Sequence, residues 1–219
     1  MEVGAFMDKN KFEIIRLRME RTAEALRRNN MYCVCVDCAE EALEIIEDLI
    51  EPGSTVAIGG SMTLFEAGVI DMLRNGSYNF LDRYEKNLTP EDIRDIYLKS
   101  FGADVYLTST NAVTEKGELF NIDGNGNRVA AMIYGPESVI IVAGYNKITK
   151  DIDQAKTRLE EIAAPSNALR LGLDTPCAAS GKCCKCMSDK KICCDTVIMG
   201  HQRVKDRIKV ILVGEELGY

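Results

Sequence analysis

The chain has 219 residues, 46% of them hydrophobic, with a formal net charge of −7 and a pI near 5.0. That length and apolar content suffice to bury an α/β core without disulfides, and the acidic balance, with no basic stripe to offset it, argues against nucleic acid or an anionic membrane as partner. No apolar run reaches signal-peptide length at the N-terminus or the roughly 20 residues of a membrane span, so the expected location is the cytoplasm.

Residues 8–29 place Phe12, Ile15, Met19, Ala23 and Leu26 at three- and four-residue steps, which predicts an amphipathic helix. MYCVCVD (31–37) predicts a short strand and AEEALEIIEDLI (39–50) the next helix. PGSTVAIGGS (52–61) reads as a turn, a buried strand and two glycines opening a helix from Met62 to about Arg74. TPEDIRDIYLKSF (89–101) starts like a capped helix, with Thr89 as N-cap and Pro90 at the first helical position. ADVYLTST (103–110), RVAAMIYG (128–135) and SVIIVAG (138–144) predict strands, DIDQAKTRLEEIAA (151–164) a helix, and RIKVILVG (207–214) a last strand. APSNALRLGLDTP (164–176) reads as a linker to a cysteine-rich segment at about 175–196, and RVKDRIK (203–209) as a solvated face. Strands alternating with helices imply parallel crossovers with helices on both sheet faces, an α/β fold in a single domain.

Two loops carry candidate chemistry. In VAIGGSMTLFEAG (56–68), a strand ending in Gly59, Gly60 and Ser61 runs into a helix whose free N–H groups favour an anion. It lacks the Gly-Lys-Ser/Thr of a nucleotide loop and the three-glycine dinucleotide spacing, and a plain Gly turn with Ser61 as N-cap is the bland alternative. TSTNAVTEKGELFNIDGNGNRV (108–129) sets a dense run of short polar groups directly after a buried strand. Its NIDGNG start imitates a calcium loop, but Met132 stands at the twelfth position, where a bidentate carboxylate is required. Its bland alternative is a hairpin turning at Lys116-Gly117 and again at Gly124 to Asn127. Both loops belong beyond the carboxyl ends of strands, where open α/β sheets bind ligands.

Paired with TSTNAVTEKGELFNIDGNGNRVAAMIYGPESVIIVAGYNKI, the stretch GGSMTLFEAG resembles the lactate-utilisation (LUD) domain family over nearly the whole chain. The resemblance implies a three-layer α/β fold akin to ribose-phosphate isomerase, glucosamine-phosphate deaminase and CoA transferases. It also implies one pocket lined by Ser61, Thr63 and Glu66 together with Asn111, Thr114, Glu115, Asn121, Asp123, Asn127 and Arg128. Members include a component of a bacterial system that oxidises L-lactate to pyruvate, in which separate polypeptides carry the electron chemistry. No flavin or nicotinamide fingerprint occurs in this chain. Glu66 and Glu115 are the candidate acid/base pair, with a helix-face and a hairpin carboxylate as the alternative reading. Arg128 and Lys147 are the candidate contacts to a ligand carboxylate or phosphate. The single histidine, His201, excludes any site needing two imidazoles.

Six of the nine cysteines fall between 175 and 196. Cys177, Cys183, Cys186 and Cys193 run C-x5-C-x2-C-x6-C, with Cys184 and Cys194 as adjacent extras. In a reducing compartment such clusters are ligands or redox groups more often than bridges, and four thiolates suit zinc or an iron–sulfur cluster. The spacing matches neither the usual ferredoxin run nor a two-knuckle zinc ribbon, which leaves zinc, an iron–sulfur cluster and a thiol switch open. Cys33 and Cys35 read as strand core, although Cys35 and Cys38 form a second C-x2-C that could complete a site with Cys183 and Cys186. Three functions follow: a LUD protein in lactate or related organic-acid utilisation with redox partner subunits, a stand-alone enzyme on a sugar-phosphate or CoA-ester substrate, and a non-catalytic metal or redox sensor.

Overall fold

A computed structural model describes residues 8–219. In chain order the elements are α1 (Lys9–Arg28), β1 (Tyr32–Val36), α2 (Ala39–Asp48), β2 (Thr55–Ile58), α3 (Met62–Glu66), α4 (Val69–Asn75), β3 (Asn79–Leu81), α5 (Pro90–Lys99) and β4 (Val105–Thr108). There follow β5 (Ala112–Thr114), β6 (Leu119–Asp123), α6 (Asn127–Ile133), β7 (Ser138–Gly144), β8 (Ile148–Thr149), α7 (Ile152–Arg158), α8 (Ala164–Arg170), α9 (Pro176–Ser180), β9 (Asp195–Met199) and β10 (Ile208–Val213). A π-helical turn, Leu159–Ala163, joins α7 to α8.

Six strands form a wholly parallel sheet in the order β1-β10-β7-β4-β2-β3. The period of two along β7 decides what each face packs on. Ile140 and Val142 point into a core built with α2, α3 and α4, while Val139, Ile141 and Ala143 join Met19, Ala23 and Leu26 of α1 and Val129 and Met132 of α6 on the other face. Helices therefore cover both faces, as expected for α/β. Each fully buried Ile or Leu contributes roughly 1.5–3 kcal/mol, which makes β10, with Ile208, Ile211 and Leu212 fully buried, and β7, with Ile140 and Ile141, the most heavily committed strands. A smaller sheet, β8-β5-β6-β9, lies against the α1 face through Val113, Leu119 and Met199, and α7 covers its far side through Ala155.

Three local expectations are corrected. The helix expected from Met62 to Arg74 is broken at Gly68, which takes φ +73 and leaves α3 and α4 as separate pieces. RVAAMIYG is a helix, α6, and not a strand. Its apolar run is too short for periodicity to separate the two, and the Asp123 carboxylate accepts from the Asn125 and Gly126 N–H groups and turns the chain into a helical start. The supposed linker at 164–176 is largely α8. The Thr89 N-cap and Pro90 stand as read, with a reciprocal capping box to Asp92.

Candidate functional site

Four chain segments meet beyond the carboxyl ends of β2, β4, β6 and β7. The β2 segment, Gly59 to Ser61, sits tight against β4: the Gly59 N–H donates to the Leu107 carbonyl at 2.8 Å, and a Cβ on Gly59 would lie 2.5 Å from Thr108 Oγ1. Only glycine fits there. Ser61 makes no side-chain cap bond to α3 and instead lines the cleft with Gly60.

Arg128, near the start of α6, binds the segments together. Its Nε donates to Asp123 Oδ2 at 3.1 Å, one terminal nitrogen to Asn121 Oδ1 (2.7 Å) and the Ser109 carbonyl (3.0 Å), and the other to Asn111 Oδ1 (3.1 Å) and the Ile122 carbonyl (2.7 Å). A guanidinium has five N–H groups, and all of them are placed on the protein. The fork expected to grip a ligand directly instead fixes the loop that lines the cleft.

Lys147 follows β7 in a short 3-10 turn, Tyr145–Lys147, and is 3% exposed. Its Nζ donates to Thr63 Oγ1 at 2.7 Å and Ser109 Oγ at 2.9 Å. It makes no ion pair among the described residues. Burial, together with the Arg158 and Arg128 guanidinium groups, pushes its ammonium down to about 7, with Glu66 opposing weakly. Arg158, itself lowered to about 10 by burial, donates to the Asn146 and Asn111 carbonyls behind the site.

The resulting cleft has a volume of about 230 Å³. Of the residues expected in it, Gly60, Ser61, Asn111 and Asp123 reach the wall, as do Asn127, Arg128 and Lys147. Gly59, Thr63 and Asn121 stand behind it, through Thr108, Lys147 and Arg128 respectively. Thr114 and Glu115 are not brought in. The Thr114 hydroxyl donates to Glu118 in the β5–β6 hairpin, and Glu115 pairs with Arg18 of α1 at 2.8 Å. Glu66 accepts from the Gly218 N–H at 2.6 Å. The two glutamates thus serve different partners and do not form an acid/base pair.

Sequence reasoning missed Arg83, Tyr97, Asn167, Arg170 and Tyr219, all on the cleft wall. Arg83 comes from the loop after β3, Tyr97 from α5, Asn167 and Arg170 from the supposed linker and Tyr219 from beyond β10, and no motif marks them. Arg83 lies over the rings of Tyr97 (4.8 Å) and Tyr84 (5.3 Å), and Arg170 is held by Asn167 Oδ1 at 2.7 Å. Three guanidinium groups, Arg83, Arg128 and Arg170, and the Lys147 amine thus face a cleft in which, among the described residues, Asp123 is the one lining side-chain carboxylate, already bound to Arg128.

The profile of the LUD domain family matches residues 19–213. The chain belongs to the LUD domain family. A crystal structure of a DUF162 family protein from Deinococcus radiodurans superposes with a TM-score of 0.51 at 13% identity, covering 91% of this chain and 98% of that one, and shares the fold. Ribose 5-phosphate isomerase from Plasmodium falciparum gives a TM-score of 0.32 at 14% identity over 51% of this chain and 52% of its own. No curated protein matches the sequence.

The cysteine segment of this LUD chain lies against the same cleft. Residues 181–194 hold neither helix nor strand. At one end α9 carries Cys177; at the other, the Cys194 N–H donates to the Asp123 carbonyl at 3.0 Å, and Ile192 packs over Gly124 on the cleft wall. All nine cysteines are free. Burial raises the Cys193 thiol, Lys191 opposes, and Cys183, Cys186 and Cys177 add to the rise, so the four expected ligands share one neighbourhood. Among the described residues, however, no group of three or more His, Cys, Asp or Glu side chains is arranged to hold a metal ion. Cys35 keeps different company, with Glu20 and Arg27, and burial drives it up to about 12. Among the described residues Cys35 and Cys38 are not assembled with Cys183 and Cys186 into a metal-holding group. His201 is exposed beside Asn30. No helix among the described residues is long and apolar enough to cross a membrane.

Proposed function

We propose that this LUD-domain protein binds a small organic acid in the cationic cleft and works in lactate or related organic-acid utilisation. Family membership supports the lactate-related role. The observation that carries the ligand class is the charge of the cleft: in a chain of net charge −7, its wall gathers three arginines, Arg83, Arg128 and Arg170. With Arg128 committed internally, Arg83 and Arg170 are the groups placed to take a carboxylate or phosphate, and Gly60, Ser61, Asn111 and Asn127 supply neutral polar contacts.

The donor chemistry of Cys177, Cys183, Cys186 and Cys193 suits zinc or an iron–sulfur cluster, in keeping with a reducing cytoplasm and with redox partner subunits. Bound there, zinc would clip the segment in place, whereas a cluster would supply one-electron transfer. The test of the ligand reading is thermal denaturation with lactate, pyruvate and inorganic phosphate. A ligand that binds the native state raises the melting temperature in proportion to the logarithm of its concentration. A melting temperature unmoved by any of these anions would overturn the reading.

A further inference from the structure

Among the described residues Lys147 is buried without a carboxylate partner, and what surrounds it is suited to a neutral amine. Both hydroxyls that receive its N–H groups have their own protons committed: Thr63 Oγ1 donates to the Leu217 carbonyl at 3.1 Å, and Ser109 Oγ to the Thr110 carbonyl at 3.4 Å. Each therefore presents lone pairs to Nζ. A neutral amine has two N–H groups, and both are satisfied by these contacts at 2.7 and 2.9 Å. The fourth tetrahedral position, the lone pair, is left unspent on a side chain that lines the cleft.

The rest of the cleft indicates what would meet that lone pair. Arg170 is exposed and Arg83 half-buried, whereas Lys147 is buried. An anionic group held by the arginines leaves the remainder of a short molecule facing the amine. We propose that Lys147 is a covalent nucleophile that forms an imine with a small anion bearing a ketone or aldehyde group. The inference rests on the anion-binding reading of the cleft. Nζ attacks the carbonyl carbon, and a C–N bond forms as the C=O π bond gives way to a hydroxyl. The hydroxyl then leaves as water, which carries off the carbonyl oxygen and both amine protons, so no oxidant or reductant is needed. The amine is available for this near neutral pH because burial lowers its proton affinity to about 7, whereas an ordinary lysine, near 10.4, is almost wholly protonated there.

The test is reductive trapping. The full chain is incubated at neutral pH with pyruvate or with dihydroxyacetone phosphate, which separate a carboxylate from a phosphate anchor, and sodium borohydride is added. Intact mass and peptide mapping then locate any adduct. The expected result is a single stoichiometric adduct with one of the two probes, mapped to Lys147 and lost in Lys147→Gln and Lys147→Arg. Mapping on the unaltered protein decides the matter even where those variants fold poorly. Adducts spread over exposed lysines, or no adduct while the probe still raises the melting temperature, would overturn the imine and leave the anion cleft standing. Neither adduct nor thermal shift would overturn both.

Discussion

Arg128 Nε and Asp123 Oδ2 meet at 3.1 Å with the two side chains only 11% and 10% exposed. The pair joins the start of α6 to the end of β6, and the same guanidinium holds Asn111 and Asn121. Arg128→Met strips the nearly buried Asp123 carboxylate of its cation and leaves the Asn121 amide oxygen without a donor, and should cost about 3–5 kcal/mol, the usual penalty for breaking a buried pair. Urea denaturation checks this. Arg128→Met combined with Asp123→Leu should cost less than the sum of the single changes, because they share one interaction.

Arg83 and Arg170 should behave in the opposite way. Neither makes an ion pair among the described residues, so Arg83→Gln and Arg170→Gln should shift stability by about 1 kcal/mol or less. Each should weaken binding of a small carboxylate about tenfold, the loss expected for one charge-assisted hydrogen bond. Calorimetric titration of the ligand found by thermal shift reads this directly, and unchanged affinity in both variants would remove the arginines from the site.

The buried lysine makes stability depend on pH in a definite direction. Its ammonium loses its proton near 7 in the folded chain and near 10.5 when unfolded. Between those values the unfolded chain binds a proton that the folded one lacks, so this group makes stability rise with pH across that window and adds no slope below it. The groups around it are the Arg158 and Arg128 guanidinium groups, the Glu66 carboxylate and the hydroxyls of Thr63 and Ser109. Lys147→Met should therefore gain on the unaltered protein as pH falls from 10 to 7, by about 1.4 kcal/mol per unit of displacement. Denaturation midpoints at several pH values check it; a difference that does not vary with pH would mean the lysine stays charged in the fold.

Metal analysis with an absorption spectrum, on protein purified without oxygen, tests the thiol cluster. Stoichiometric iron with acid-labile sulfide, or stoichiometric zinc, is expected, and either should be lost in Cys183→Ser and Cys186→Ser. Metal retained in both variants would remove these cysteines as ligands.

The large sheet was legible because β1, β2, β4, β7 and β10 are short runs of β-branched or apolar residues set between amphipathic helices, a pattern fixed by burial on both faces. Two-residue β8 and three-residue β3 carry too few side chains to leave a pattern, and β9 shows exposed Asp195 and Thr196 because its stability comes from pairing with β6. The same division runs through the site. Gly60, Ser61, Asn111 and Asp123 stand where strands end and are visible as polar groups after apolar runs. Arg83 and Arg170 reach the cleft only through tertiary placement, one from the loop after β3 and the other at the end of α8. Arg128 was noticed for its charge, yet its role is set by five acceptors that no spacing reveals.

The cysteine segment is moored at both ends to elements that shape the cleft, α8 at the start and Asp123 of β6 at the finish, with Ile192 forming part of the wall itself. A ligand that drew the thiols inward and shifted that path would also alter the space in the cleft. If an anion binds in the cleft as proposed, thermodynamic reciprocity requires it to change the affinity of the thiols for such a ligand by the same factor. Two binding events that share no atom would in that way be written into one equilibrium.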